Sequence, residues 1–355
     1  MDELEEHSID TPDGRLYAVA KGNGPVVLMV HGNPGLSYSW RHQMRPLAEA
    51  GYRAVAIDCL GYGRSDRPDG LEHYDSNAMH RQLLCVLDYF RAARGAVVGQ
   101  DFGAQYSWNL AVRASERIGA IAATVPYDYD MAGRGLQGSN PPDDGRDDST
   151  AMSSSRIPPS VRYANMARNH FVHVHYYQEV GPAERELGPR LRDYMSRILH
   201  ALSGEGNLLR WSSYPSEGTG YMDVLEPAPP LPWPWLSERE FEHFVQEYGR
   251  GGESREFAGP LAAYRVADRN WAIGARWADH DVTQPALFIC GAKDPVLMVI
   301  GEDWRERMRQ RIPHLAEPVL IPGAGHMVQQ EAPAAFNDAL LGFLRGLPAD
   351  AFAVR

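Results

Sequence analysis

Short apolar runs bounded by turn residues recur in the first third of the chain, at residues 26–30, 53–58 and 96–99. Apolar runs this short and without strict alternation fit strands buried on both faces, as in a parallel sheet. Between them, residues 40–50 and 76–91 have helical character, the second with Leu83, Leu84, Leu87 and Phe90 at helical spacing, and residues 118–125 read as a further strand. Strand and helix in alternation predict an α/β fold with a doubly wound, mostly parallel sheet. The pattern breaks at residues 133–155, which are rich in Gly, Asp, Ser and Pro without periodicity and read as a mobile linker or lid edge. Residues from about 156 to 270 are aromatic-rich and helical in pattern, interrupted at 227–234, and read as a capping subdomain. Alternation resumes with a strand at 286–290, a helix around 300–312, a strand at 317–321 and an amphipathic helix at 333–347. The expected organisation is therefore a core of residues 1–132 and 272–355 around an inserted linker and helical cap at 133–271. There is no internal repeat.

Composition narrows the partners more than the chemistry. With 355 residues, 44% of them hydrophobic, the chain is long enough to bury a large core and carry an insertion. A net charge of -11 with no basic run argues against nucleic acid and against an anionic membrane surface. The polar, acidic first ten residues lack the basic start and apolar run of a signal peptide, and no later stretch reaches membrane-spanning length, so a cytoplasmic location is expected. Three widely spaced cysteines, Cys59, Cys85 and Cys290, fit buried free thiols rather than disulfides or metal ligands. No metal and no cofactor are expected; the partners are a small molecule and water, and a homodimer is left open.

The chemistry is concentrated in four segments. Gly99-Gln100-Asp101-Phe102-Gly103 follows an apolar strand and opens a helix. It has the Gly-x-nucleophile-x-Gly form of a nucleophile elbow, with aspartate where serine is usual. Alone, such a pentad also fits a turn with an Asp helix cap. His31-Gly32-Asn33-Pro34-Gly35 follows the strand at 26–30 and suits an oxyanion hole made of the Asn33 and Phe102 backbone amides. Asp294, in Gly291-Ala292-Lys293-Asp294-Pro295, and His326, in Gly323-Ala324-Gly325-His326, each follow a late strand. Asp101, Asp294 and His326 stand in the chain order of an α/β-hydrolase triad. Asp128 or Asp130 is an alternative partner for His326.

An aspartate nucleophile selects the reaction. Serine attacking an sp³ carbon leaves an ether that water cannot cleave, whereas a carboxylate leaves an ester that His326-activated water can cleave at the Asp101 carboxyl carbon. Epoxides and haloalkanes are such substrates. A halide departs as an anion and needs solvating donors, whereas the epoxide oxygen stays attached and needs a weak acid.

The segment from His31 to Asp66, the elbow GQDFGAQYSW, the cap stretch FAGPLAAYRVADRNW and the closing GAGHMVQQEAP resemble the α/β-hydrolase epoxide hydrolases, of the soluble type in particular, over most of residues 26–345. In that family two cap tyrosines bind the epoxide oxygen, one of them in a Tyr-Arg motif followed by Asn-Trp. Tyr264-Arg265 with Asn270-Trp271 matches, so the resemblance gives Tyr264 the role of ring-opening acid. At the other position HVHYYQEVGPAEREL sets His173 where the family usually has tyrosine, which resembles a minority with a His and Tyr pair; Tyr177, one helical turn on, is the substitute. Trp40 and Tyr177 are the further substrate-contact candidates. Phe102 departs from the tryptophan common after the nucleophile, which the haloalkane dehalogenases that share the HGNP motif use to hold halide. The expected activity is hydrolysis of an apolar epoxide to a vicinal diol through an Asp101 ester. The alternatives are a haloalkane dehalogenase and a non-catalytic binding protein of the same fold.

Overall fold

The structure, a computed structural model, describes residues 4–127, 157–252, 255–277 and 280–354. The linker at 133–155 and the alternative carboxylates Asp128 and Asp130 lie outside these residues. Among the described residues nine strands form the sheet: β1 (Glu5–Thr11), β2 (Gly14–Lys21), β3 (Val26–Val30), β4 (Arg53–Asp58), β5 (Ala92–Gly99), β6 (Ile118–Ala123), β7 (Ala286–Gly291), β8 (Val319–Ile321) and β9 (Ala353–Val354). Their order is β1-β2-β4-β3-β5-β6-β7-β8, with β9 paired to β5. The pairs β1/β2 and β2/β4 are antiparallel, and from β4 through β8 the pairing is parallel.

The apolar runs are unalternated because both faces of the sheet are covered. On β3, Val26, Leu28 and Val30 enter one core cluster and Val27 and Met29 the other. The first cluster packs under α2 (Ser76–Tyr89) and α3 (Phe102–Arg113), the second under α1 (Arg41–Glu49) and the terminal helix Pro333–Arg345. The Asp75 carboxylate caps α2 by accepting from the amides of Asn77 and Ala78, 3.0 Å each. The antiparallel β1–β2 hairpin is not foreseen above: β1 carries Glu5, Glu6, His7 and Asp10 and is largely exposed. Its signal is in β2, where Leu16, Ala18 and Ala20 are buried in strict alternation.

Between β6 and β7 the described chain is helical and adds no strand to the sheet. It runs through α4 (Pro159–Ala167), α5 (His173–Tyr176), α6 (Pro182–Leu187), α7 (Leu191–Leu202), α8 (Tyr221–Val224), α9 (Glu238–Tyr248), α10 (Ala258–Arg265) and α11 (Ala267–Gly274). Polar clamps seat it on the core. The Asn270 carbonyl accepts from the Ser76 amide at 2.7 Å, and Arg269 pairs with Asp75 at 2.9 Å. No helix among the described residues is long and apolar enough to cross a membrane. All three cysteines are free, but Cys85 is only half-buried on α2, where the sequence suggests a buried thiol.

Three glycines let the ends of β3 and β5 pass each other. A Cβ on Gly103 would stand 2.1 Å from the Val30 carbonyl oxygen, one on Gly99 2.3 Å from the Gly103 oxygen, and one on Gly32 2.3 Å from Asp101 Oδ1. Each contact is backbone or the nucleophile itself, so relaxation must move a strand. We expect Gly103→Ala to cost roughly 2–3 kcal/mol or more. Chemical denaturation would measure this, and a loss below about 0.5 kcal/mol would contradict the close approach.

Candidate active site

Asp101 sits at the tip of the turn between β5 and α3 with φ 55° and ψ -123°, a left-handed conformation that non-glycine residues adopt only under constraint. The constraint comes from its neighbours. Gln100 donates its amide to the Val30 carbonyl at 3.0 Å, and Thr124 Oγ1 accepts the Asp101 amide at 3.3 Å. The Asn33 amide donates to Asp101 Oδ1 at 2.7 Å. The Phe102 amide opens α3 beside Gly32, whose Cβ would lie 2.5 Å from that nitrogen. The Asn33 amide is therefore at the carboxyl group, and the Phe102 amide lies beside Gly32 at the N-terminus of α3.

The loop bearing Asn33 is itself held by a histidine. His31 Nε2 accepts from the Cys59 amide at 3.0 Å, so the proton resides on Nδ1, 2.8 Å from the Gly32 carbonyl. Complete burial keeps this imidazole below its ordinary pKa and neutral, as that pair of partners requires.

His326 bridges two carboxylates. Its Nδ1 lies 3.0 and 3.1 Å from the two Asp294 oxygens and its Nε2 lies 3.2 Å from Asp101 Oδ2. Asp294 is buried at the start of α12 (Pro295–Val299) and also accepts the Val296 amide at 2.9 Å. Burial pushes the His326 pKa down, but the charge of Asp294 and the hydrogen bonds and charge of Asp101 outweigh it and hold the imidazolium well above the ordinary range. The His326 amide donates to the Leu202 carbonyl at 2.9 Å, which ties the loop to the end of α7.

Above Asp101 lies a cavity of about 110 Å³. Its polar wall is formed by Asn33, His173, Tyr177, Tyr194, Tyr221 and Tyr264. Leu202, Leu208, Leu209, Val296 and Val299 supply an apolar arm. His173 and Tyr264 meet edge to face with centroids 5.7 Å apart. The Tyr-Arg motif brings them together: Arg265 Nε donates to the Tyr177 carbonyl at 2.9 Å and its Nη1 pairs with Glu184 at 2.7 Å. Gln178 adds a bond to the Tyr264 carbonyl at 3.2 Å. Burial lowers the His173 pKa to about 4, against a smaller opposing effect of Asp101, and leaves the ring neutral; its Nδ1 is buried without a hydrogen-bond partner. Burial, followed by the charge of Asp101, raises the Tyr264 phenol well above its ordinary range, so it keeps its proton.

Not every expected residue is here. Trp40 is a correction: its indole is fully buried on the other face of the sheet, 6.2 Å from Phe336, because the turn before α1 rotates it toward the terminal helix and away from the cavity. Tyr177 does line the cavity, but its hydroxyl lies 3.3 Å from that of Tyr194. Tyr194 and Tyr221 were missed. Tyr194 is a polar aromatic on the apolar stripe of α7 formed with Met195, Ile198, Leu199 and Leu202, and that position is its signal. Glu331 was also missed; it accepts the amides of Gly204, Gly325 and Met327 at 2.8–3.0 Å and so frames the His326 loop. Among the described residues no group of three or more His, Cys, Asp or Glu is arranged to hold a metal ion.

Comparison with known proteins follows the same lines. Residues 25–149 match the family model described as alpha/beta hydrolase fold. The chain is 36% identical over 346 residues to epoxide hydrolase A of Mycobacterium tuberculosis, covering 96% of this chain and 98% of the relative. Among solved structures, an epoxide hydrolase from an endophytic Streptomyces superposes with a TM-score of 0.82 at 30% identity, covering 98% of this chain and 96% of that one. Epoxide hydrolase A from Mycobacterium thermoresistibile gives a TM-score of 0.80 at 33% identity, covering 98% and 99%. Similarity of this extent, over nearly the whole of each chain, means that this chain belongs to the epoxide hydrolase family of the α/β-hydrolase fold.

Proposed function

We propose that the protein hydrolyses an apolar epoxide to a vicinal diol through an alkyl ester on Asp101. The observation that carries this reading is the placement of a carboxylate, held by a backbone amide and an imidazole, on the floor of a cavity whose opposite wall holds neutral donors. Oδ1 is engaged by the Asn33 amide, and Oδ2, released from its hydrogen bond to His326 Nε2, attacks a ring carbon. The carbon–oxygen bond of the ring breaks, and Tyr264, with His173 beside it, hydrogen-bonds and protonates the departing oxygen. The oxygen stays attached to the product.

Electrostatics couples the two steps. In the resting enzyme Asp101 helps keep His326 protonated. Esterification removes that charge, so the imidazolium gives up its Nε2 proton, which restores the Tyr264 phenol by way of solvent, and Nε2 becomes a base. It then deprotonates water, which attacks the Asp101 carboxyl carbon while the oxyanion forms on Oδ1 against the Asn33 and Phe102 amides. Collapse expels the diol oxygen and returns Asp101 as a carboxylate and His326 as imidazolium. The atoms balance with substrate and water alone. We read the helical insertion as the cap that closes the site, the reaction as cytoplasmic, and a homodimer as compatible with it.

A single turnover in heavy-oxygen water with enzyme in excess tests the ester. We expect mostly unlabelled diol and label on the peptide containing Asp101; His326→Gln should accumulate a substrate-mass adduct there, with hydrolysis slowed roughly 10²- to 10⁴-fold. Label in first-turnover diol without an adduct would mean that water attacks the substrate directly.

The acid assignment predicts that Tyr264→Phe slows alkylation roughly 10²-fold and hydrolysis little, as read by rapid quench. His173, with a pKa near 4, is neutral above about pH 5. It donates as a neutral imidazole, so alkylation should not weaken through its deprotonation as pH rises from there. A fall near pH 6–7 that disappears in His173→Phe would instead identify an imidazolium donor.

The coupling predicts that Asp101→Ala lowers the His326 pKa, because it removes one of the two anions that raise it. An NMR titration of the imidazole in both forms reads the direction. An unchanged His326 pKa would remove the proposed switch from acid to base.

A further inference from the structure

Asn33 carries more than its backbone amide. Its side-chain Nδ2 lies 3.5 Å from the Tyr264 hydroxyl; burial raises the Tyr194 phenol, and the same carboxamide opposes that rise as a neighbouring N–H donor does. An amide nitrogen has two protons and accepts none, so toward Asn33 both phenol oxygens are acceptors. Tyr194 receives a second bond from Tyr177: the two hydroxyls are 3.3 Å apart, and donation by Tyr177 leaves each of them satisfied. Among the described residues no acceptor then takes the Tyr194 proton. Tyr194 is itself buried and lines the cavity with Tyr264, His173 and Asp101. We infer that Tyr194 is a third donor to the substrate oxygen, set in place by the Asn33 carboxamide, which holds Tyr264 and Tyr194 from behind so that both phenolic protons face the cavity.

The inference rests on the epoxide reading, because it concerns the oxygen that ring opening releases. Charge grows on that oxygen in the transition state, and preorganised donors that need no other partner stabilise it most. Tyr194 comes from α7 and Tyr264 from α10, so two cap helices converge on one atom. Asn33 comes from the core loop after β3. Its side chain therefore registers the acid half of the site against the nucleophile, while its backbone amide holds Asp101 Oδ1. Asn33 acts here through the phenols and is a positioning residue; Tyr194 touches the reacting oxygen.

The experiment is rapid-quench alkylation of the full chain with styrene oxide and para-nitrostyrene oxide, for wild type, Tyr194→Phe, Asn33→Ala and Tyr264→Phe. Tyr194→Phe should slow alkylation of styrene oxide roughly 10- to 100-fold while hydrolysis of the ester changes by less than about threefold. The penalty should shrink for the nitro compound, whose alkoxide is the weaker base. Asn33→Ala, which keeps the backbone amide, should slow alkylation similarly, and in combination with Tyr194→Phe the two effects should fall short of additive. Should Tyr194→Phe fail to fold, Asn33→Ala gives the same reading with both epoxides. Alkylation within about twofold of wild type in either variant, or an equal penalty for both epoxides, would overturn the inference. If Tyr264→Phe is slow under those conditions, only the role of Tyr194 falls; if Tyr264→Phe is also silent, the epoxide reading falls with it.

Discussion

The Asp101 carboxylate reaches the cavity because β3 and β5 turn past one another at backbone contact. Gly32, Gly99 and Gly103 leave no room for a Cβ at that crossing, and the conformation forced on Asp101, with φ 55°, lifts its carboxyl group clear of the sheet. The same approach places the Asn33 amide 2.7 Å from Oδ1. The Asp101 carboxylate and the Asn33 amide are thus fixed to each other by main chain, which has little freedom to reorganise. The strain at Asp101 is sustained by the strands packed on both faces of the crossing, each fully buried from Val26 to Val30 and from Gly95 to Gly99.

The other half of the site shares a hydrophobic cluster with the sheet and is secured by polar clamps as well. Leu202 accepts the His326 amide, Gly204 donates to Glu331 at 2.8 Å, and the Gly204 carbonyl accepts from Lys293 at 2.9 Å, next to Asp294. The end of α7 is consequently bonded to both loops that carry the charge-handling pair. Burial raises the Glu331 pKa against the three amides that favour its charged form. Arg265 and Gln178 do for Tyr264 and His173 what Glu331 does for His326. Displacing the helical insertion by an ångström would disturb Tyr264 and His326 together, a sensitivity expected where neighbouring groups come from separate elements.

What the sequence made legible was mostly what backbone rules decide locally. The parallel strands, the elbow and the order of Asp101, Asp294 and His326 follow from short apolar runs ending in Gly-rich turns, and the matches to the family and to solved epoxide hydrolases agree on the fold. The β1–β2 hairpin escaped notice because charged residues on its exposed strand hide the alternation of its partner. Trp40 was misplaced because an aromatic near a catalytic loop can turn either way, and the choice was made by Phe336, nearly 300 positions on in the chain. Tyr194 had no motif to announce it. Its position depends on how α7 docks over Asn33, a contact between residues far apart in sequence that no local pattern encodes.

The composition of the polar wall bears on which leaving group it suits. A departing halide carries a full charge away from carbon and needs several donors at a fixed point beyond it, and the residue after the nucleophile is well placed to be one of them. Here that residue is Phe102, whose ring packs edge to face on Tyr264 with centroids 4.9 Å apart and offers no donor from its side chain. The Asn33 carboxamide, a group able to solvate a halide, is instead engaged with the Tyr264 phenol. Phenols are weak acids whose protons burial retains, and for Tyr264 and Tyr177 the shift is well above the ordinary range. Such donors match an oxygen that stays tethered to its carbon and finishes the step as a hydroxyl, since they supply a proton to the alkoxide as it develops. Substituting phenylalanine for an indole donor and turning the amide toward the tyrosines both move the site from anion solvation toward proton transfer.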